Sequence, residues 1–234
     1  MHKIKRKQRP AVVLVVAHPD DIANSMGGTA YLLKDRYRLH VLCLTRGERG
    51  LSPEPRQTTA ALRSKEEAAV CRILGASLTF LGQIDGEACA ESALCARVAR
   101  ILKRLKPAAL FTLWPINFHH DHIAAYAVAI QSLYRSGLIH KIEVYMPEND
   151  PGGQTNQFTP DLYVNIDAVI EKKREMIRCH RSQHPDESRV ERVIQRNAYR
   201  GALARCRYAE GFKVMQPLVN SRWGRRTCRM LLSL

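Results

Sequence analysis

Two short polar clusters in this chain carry the residue types that metal-assisted chemistry needs. The first is "AHPDD", which sets His18, Asp20 and Asp21 directly after the apolar run 11–17, "AVVLVVA". The second is "HHDH", which sets His119, His120, Asp121 and His122 a few residues after a second apolar run, "AALFTLW" at 108–114. Imidazole plus carboxylate is the donor set of a Zn²⁺-type ion, and catalytic zinc sites commonly use three protein ligands and leave one position for water. A bound cation would also resolve the problem of two adjacent carboxylates ending a buried strand. One binds the ion, the other stays free as a base, and the cation favours ionisation of both. At the start of a helix, residues three apart lie about 60° apart around the axis, so His119 and His122 can face one cleft. His120 reads as a solvent or packing residue.

A blander account exists, since Asp-rich turns also occur for capping and turn geometry alone. The chain supplies its own control in "SQHPDESRVERV" at 182–193, which repeats the His-Pro-Asp tripeptide with no apolar strand before it. There the residues read as a helix start, with Asp186 as cap and Glu187 in the first turn. Strand context and the second histidine cluster favour a metal site at 18–21. His2, His40, His140 and His180 have no cluster partners in the sequence.

The elements that must position these groups alternate. Strands are expected at 11–17, 39–45, 78–82, 108–114, 142–147 and 161–166. Helices are expected at 27–37, starting at two glycines that let the chain turn, and at 58–75, ending on Gly75. Another follows at 91–106, where Leu94, Val98, Ile101, Leu102 and Leu105 share one face and Pro107 ends the run. The pattern after His119 is also helical, as are 167–182 and 187–207. Short buried strands alternating with helices imply βαβ units, so the fold class is α/β, a Rossmann-like and mostly parallel sheet with helices on both faces in a single domain. Ligands in such sheets collect beyond the carboxyl ends of the strands, near a topological switch point. Both polar clusters occupy such ends. The Pro/Gly/Asn-rich connection "ENDPGGQTNQFTP" reads as a loop at the cleft mouth that could act as a lid.

At 234 residues, with 45% hydrophobic and 25% charged residues, the chain suits one well-cored domain at 11–215. The net charge of +15 invites a nucleic-acid or anionic-surface role, but nine Lys/Arg lie in two acid-free terminal stretches, leaving about +6 elsewhere. Residues 1–10 and 216–234 therefore read as basic flexible tails. No aromatic-interleaved basic strand or basic helix-turn-helix pattern supports specific nucleic-acid binding. Apolar runs fall well short of the ~20 residues of a membrane-spanning helix, and the seven-residue apolar stretch after the basic N-terminus reads as a core strand and not a signal peptide. The seven cysteines include no Cys-x-x-Cys pair, and Cys43, Cys71, Cys95 and Cys206, in apolar or helical contexts, read as small buried hydrophobes of a reducing, cytoplasmic compartment. Gly27-Gly28 lacks the Lys-Ser/Thr of a phosphate loop and fits a close helix-to-strand approach, and there is no Gly-x-Ser-x-Gly elbow.

The ordered series of motifs resembles the LmbE-like, or PIG-L, family of zinc-dependent N-acetylglucosaminyl deacetylases. It comprises "AHPDDIANSMGG" (17–28), "LTRGERG" (44–50), "RSKEEAAVCRILG" (63–75), "FLGQIDG" (80–86) and "HHDH" (119–122), then "KREMIRCHRSQ" (173–183) and "YAEGF" (208–212). The last is similar to the bacillithiol-pathway branch. The resemblance implies that His18, Asp21 and His122 ligate Zn²⁺, with Fe²⁺ as the alternative ion. It implies Asp20 as general base, and His119 as oxyanion stabiliser or general acid oriented by Asp121. Arg63 and Asp85 fall where relatives hold the sugar or its aglycone, with Glu66 orienting Arg63. The implied substrate is a small amino-sugar molecule, such as an O-linked GlcNAc-malate-type glycoside, and the implied assembly is a homo-oligomer. A thiol-sugar amidase, a glycolipid deacetylase and, from another class, a basic polymer-binding protein with a structural metal are the alternatives. Two departures stand out. Ile22 replaces the usual Glu, and His120 replaces a frequent Pro. The Arg often found before the histidine of that motif is also missing.

Overall fold

The computed structural model describes residues 9–149 and 158–215, together with 231 and 234. The lid expected in the 150s and nearly all of the two basic tails lie outside these residues. Arg9, at the edge of the first tail, donates hydrogen bonds to the carbonyls of Lys34 and Asp35.

Five strands form a parallel set: β1 (Ala11–Val16), β2 (Arg38–Cys43), β3 (Ser77–Phe80), β4 (Ala109–Thr112) and β5 (Glu143–Pro147). β6 (Leu162–Asn165) and β7 (Ala209–Met215) complete one sheet of order β3-β2-β1-β4-β5-β7-β6. β7 runs antiparallel to both β5 and β6. The sequence reading assigned no strand there, although it singled out "YAEGF". β1 lies at the centre of the parallel set, and all six of its residues are buried, as befits a strand covered on both faces and apolar throughout.

Helices α1 (Asp21–Leu33), α2 (Arg56–Leu74), α3 (Ser92–Leu105) and α4 (His120–Ser136) connect the parallel strands; α5 (Ile170–Arg178) and α6 (Glu187–Ala204) precede β7. The chain steps from β1 to β2 to β3 in one direction, then returns past β1 to β4 and β5 in the other. With right-handed crossovers, that reversal puts α1 and α2 on one face and α3 and α4 on the opposite one. The packing agrees, since α1 meets α2 and α5 while α3 meets α4. The switch point therefore falls between the carboxyl ends of β1 and β4, where the two polar clusters leave the sheet.

α1 begins six residues earlier than expected. It is two helical pieces joined at Met26, whose φ of −139° is not helical. The kink frees the backbone N–H groups of Gly28 and Thr29, and both donate to the Glu210 carboxylate of β7 at 2.9 and 2.8 Å. Lys173 of α5 reaches the same carboxylate at 2.5 Å, and neither side chain of this pair is exposed. Gly28 is required by close approach, because a Cβ there would sit 2.7 Å from Cγ2 of Ile166. The contact is with the segment after β6 and not with a strand.

Candidate active site

Asp21 opens α1 and closes the β1–α1 turn on itself. Its Oδ2 accepts from the backbone N–H groups of Ala17 and His18, both at 2.9 Å. Its Oδ1 lies 3.4 Å from His122 Nε2, so β1 and β4 are joined at their ends by a carboxylate–imidazole contact. Asn149, just past β5, places its amide nitrogen 3.4 Å from the same Oδ1 and 3.3 Å from His122 Nδ1.

The three histidines of the two clusters converge. Ring centroids of His18 and His119 are 4.6 Å apart, those of His18 and His122 5.3 Å, and those of His119 and His122 4.7 Å. Two sets bring one donor atom per residue within 4.8 Å of each other: His18, His119 and His122, and His18, Asp85 and Asp121. Asp21 touches the first set through His122. His120, the first residue of α4, is exposed, as expected for a solvent residue.

His18 Nε2 lies 2.9 Å from Asp121 Oδ2 and 3.1 Å from Asp85 Oδ1. Burial alone would lower the pKa of this ring, but the two carboxylates, with Asp21, raise it to about 10. Asp121 is fully buried and also accepts from the backbone N–H groups of Gly86 and Ala88 at 2.7 and 3.1 Å. It meets His119 through its own backbone N–H, which donates to His119 Nδ1 at 3.2 Å. Burial, reinforced by His18 and His122, lowers the pKa of His119.

The two adjacent carboxylates occupy different environments. Burial would raise Asp21, but the charge and hydrogen bonding of His122, with His18, hold it well below the usual range. Burial pushes Asp20 up to about 6, with Arg63 pulling it down and Asp21 pushing it up. Two neighbouring carboxyls whose pKa values are driven apart are a common basis for separate chemical roles.

Asp20 has φ 102° and ψ −22°, a left-handed conformation disfavoured for a residue with a side chain. Arg63 of α2 holds this turn, donating to Pro19 O at 2.6 Å and Gly47 O at 2.9 Å and approaching Asp20 Oδ1 at 3.3 Å. A Cβ at Gly47 or Gly50 would collide with that guanidinium, which is why "TRGERG" needs its glycines. Glu67, one helical turn after Arg63, accepts from Asp20 N at 3.2 Å. Glu66 turns elsewhere and accepts from the backbone N–H and hydroxyl of Ser182 at 2.9 and 2.6 Å, so it does not orient Arg63. Asp85 Oδ2 accepts from Arg49 N at 2.9 Å. Both expected substrate-binding residues line the cavity, with these polar groups engaged by the protein.

The cavity, about 350 Å³, opens between the ends of β1 and β4 and the start of α6. Sequence reasoning missed several residues around it. His184, dismissed with the helix-start tripeptide, lines it and places Nε2 3.9 Å from Asp20 Oδ2. His180 is fully buried, with Nε2 3.5 Å from Glu67 Oε2, and burial takes its pKa down to about 3. The four-residue spacing Arg63/Glu67 was an available signal, since such pairs share a helix face, whereas His180 and His184 lie in the turn between α5 and α6. Asn149, Gln183, Arg189 and Arg192 carried no local signal. The Asp186 cap is as expected, with Oδ1 accepting from Ser188 N at 2.9 Å.

A doubly wound α/β domain with a histidine–carboxylate cluster at its switch point defines the class. The family description "PIG-L: GlcNAc-PI de-N-acetylase" matches residues 13–133, just over half of the chain, and the chain belongs to this family. The 4-oxalmesaconate hydratase of Pseudomonas putida is 29% identical over 91% of this chain and 91% of its own. A probable N-acetyl-alpha-D-glucosaminyl L-malate deacetylase of Bacillus cereus is 27% identical over 74% of this chain and 83% of its own. Among solved structures, the N,N'-diacetylchitobiose deacetylase of Pyrococcus horikoshii superposes with a TM-score of 0.79 at 26% identity, covering 91% of this chain and 86% of the other. No helix among the described residues is long and apolar enough to cross a membrane.

Proposed function

We propose that this chain is a metal-dependent hydrolase that removes the N-acetyl group from an N-acetylglucosamine-containing small molecule. One observation carries the reading. Clusters some 100 residues apart in sequence meet at one cavity, where Asp21 lies 3.4 Å from His122 Nε2 and 4.0 Å from His18 Nδ1, with His119 stacked beside them. The donor set fits a divalent cation, because the buried carboxylates of Asp21, Asp85 and Asp121 gather around imidazoles whose neutral form is itself a ligand. His18, Asp21 and His122 are the residues assigned to hold it, and nitrogen and oxygen donors suit Zn²⁺ or Fe²⁺.

A divalent ion held by His18, Asp21 and His122 would supply Lewis-acid activation of water and of the amide carbonyl. Asp20, held at the cavity wall by Arg63, takes the proton from the attacking water. His119 faces the tetrahedral oxyanion, a contribution typically of a few kcal/mol per donor. The departing amine receives its proton from Asp20 or His119. Asp121 holds His18 by its side chain and His119 by its backbone. Arg63 and Asp85 bound the substrate as cavity walls.

A hydratase is the second reading, favoured by the match to the Pseudomonas putida enzyme over 91% of both chains. It would use the same base to add water across a carbon–carbon double bond, with no amine leaving. Metal analysis of the purified protein, followed by amine-release assays on a panel of N-acetylglucosaminides, tests the first reading. Amine release that follows bound metal supports the deacetylase. Water addition to an unsaturated carboxylate without amine release from any glycoside supports the hydratase.

A further inference from the structure

One wall of the cavity carries positive charge that the reaction outlined above does not use. Arg189 and Arg192 of α6 both line the cavity, three residues apart and therefore on one side of the helix. The other two cavity arginines are committed. Arg63 spans Pro19, Gly47 and Asp20, and Arg49 pairs with Glu87. Arg189 uses Nη1 on the Gln183 carbonyl at 2.6 Å and forms no ion pair among the described residues. Arg192 is exposed at the mouth and forms no hydrogen bond or ion pair among the described residues; the nearby Asp186 carboxylate feels its charge but is engaged with Ser188.

Like charges three or four apart on a helix destabilise it by about 0.2–0.5 kcal/mol, and the one hydrogen bond from Arg189 to the Gln183 carbonyl does not need a second guanidinium beside it. Guanidinium forks match planar or tetrahedral oxyanions with two parallel hydrogen bonds, which an ammonium cannot do. We propose that Arg189 and Arg192 form an oxyanion subsite that reads a carboxylate or phosphate carried by the substrate away from its reacting group. This deepens the proposed function and rests on it for the identity of the reaction, though not for the existence of the subsite.

The test compares three substrates: an N-acetylglucosaminide with a free carboxylate on its aglycone, the methyl ester of the same glycoside, and N-acetylglucosamine 1-phosphate. For the unaltered enzyme, kcat/KM on the acid should exceed that on the ester by about tenfold or more, the size expected of hydrogen bonds to a charged group. Arg189→Gln/Arg192→Gln should bring the ratio close to one, chiefly through KM. Lys103→Gln/Arg104→Gln, an equal loss of two charges in the last turn of α3, should leave the ratio as it was. The anionic substrate that loses more in the double variant identifies carboxylate or phosphate as the group read. A ratio near one in the unaltered enzyme, or one that survives the double substitution, overturns the subsite.

If no glycoside releases amine, calorimetric titration with malate and with inorganic phosphate separates the two claims. Binding that disappears in the double variant upholds the subsite and overturns the deacetylase. Binding that is absent or unaltered overturns both.

Discussion

Glu67 accepts a hydrogen bond from the backbone N–H of Asp20 at 3.2 Å and so holds from behind the residue assigned as base. Asp20 is one of three non-glycine residues with positive φ among the described residues, and such a conformation costs about 1–3 kcal/mol unless its surroundings impose it. Arg63 on Pro19 O and Glu67 on Asp20 N are those surroundings. Glu67→Leu removes the acceptor without opening the cavity. We expect kcat to fall by about 10²-fold, the scale of an ångström-sized misplacement, with KM and bound metal little changed. Glu67→Gln keeps an acceptor oxygen and should recover most of the loss. Equal rates in the Leu variant and the unaltered enzyme would mean that Arg63 alone fixes the turn.

Glu67 also predicts a pH dependence of stability. Burial pushes its carboxyl up to about 8, against the hydrogen bond from Asp20 that lowers it. The folded state therefore keeps a proton that the unfolded chain loses above about 4.5. Where the native state binds more protons than the unfolded one, stability falls as pH rises. The Glu67 contribution should decline from about pH 4.5 to about 8 and be absent in Glu67→Gln. Urea midpoints of both proteins across pH 5–8, measured with chelator present, read this out. The glutamine variant should gain on the parent steadily as pH rises, and parallel curves would place the carboxyl in its charged form throughout.

Asp20→Asn separates base from ligand. The amide keeps the size of the side chain but cannot take a proton, and it leaves the Asp21 contacts to Ala17, His18 and His122 in place. Metal content should stay at the parental level while kcat drops by about 10²–10⁴-fold, the usual contribution of a general base. Asp21→Asn should instead lose metal. Turnover near the parental rate in Asp20→Asn on an accepted substrate would assign the proton transfer to another group, with His184, whose Nε2 lies 3.9 Å from Asp20 Oδ2, as a candidate.

The centre of the sheet was readable because β1 is uniformly apolar, β4 is apolar up to Thr112, and both lead into polar clusters that nothing buried should tolerate unpaired. It left β7 unread for a physical reason. Glu210 sits in that strand 1% exposed and interrupts the apolar pattern, and its burial is intelligible only through Lys173 and the freed N–H groups of α1. The helix placed at Gly27 is the second piece of α1. The first piece, carrying Asp21, lay hidden because the Gly27-Gly28 pair beside the kink at Met26 reads as a helix start. The histidine cluster was readable from residue type alone. The pairing of His18 with Asp85 and Asp121 was not, since it depends on how the β3–α3 and β4–α4 connections meet.

That same buried pair gives the strongest stability prediction. The Lys173 ammonium and Glu210 carboxylate are 2.5 Å apart with neither side chain exposed, and Glu210 also caps the second piece of α1. Burial lowers the Lys173 pKa against the pull of Glu210, so the charged lysine is tolerated only while its partner is present. Lys173→Met leaves a carboxylate still served by two backbone donors, whereas Glu210→Leu strands both a buried ammonium and those donors. Removing one partner of a buried pair costs about 3–5 kcal/mol, and Glu210→Leu should lie at the upper end of that range. Because both single variants break one interaction, their losses should not add. The double variant Lys173→Met/Glu210→Leu should be more stable than Glu210→Leu alone, as urea denaturation of all four proteins would register. Additive losses would mean that Glu210 acts through the α1 backbone alone and that the lysine is incidental to the fold.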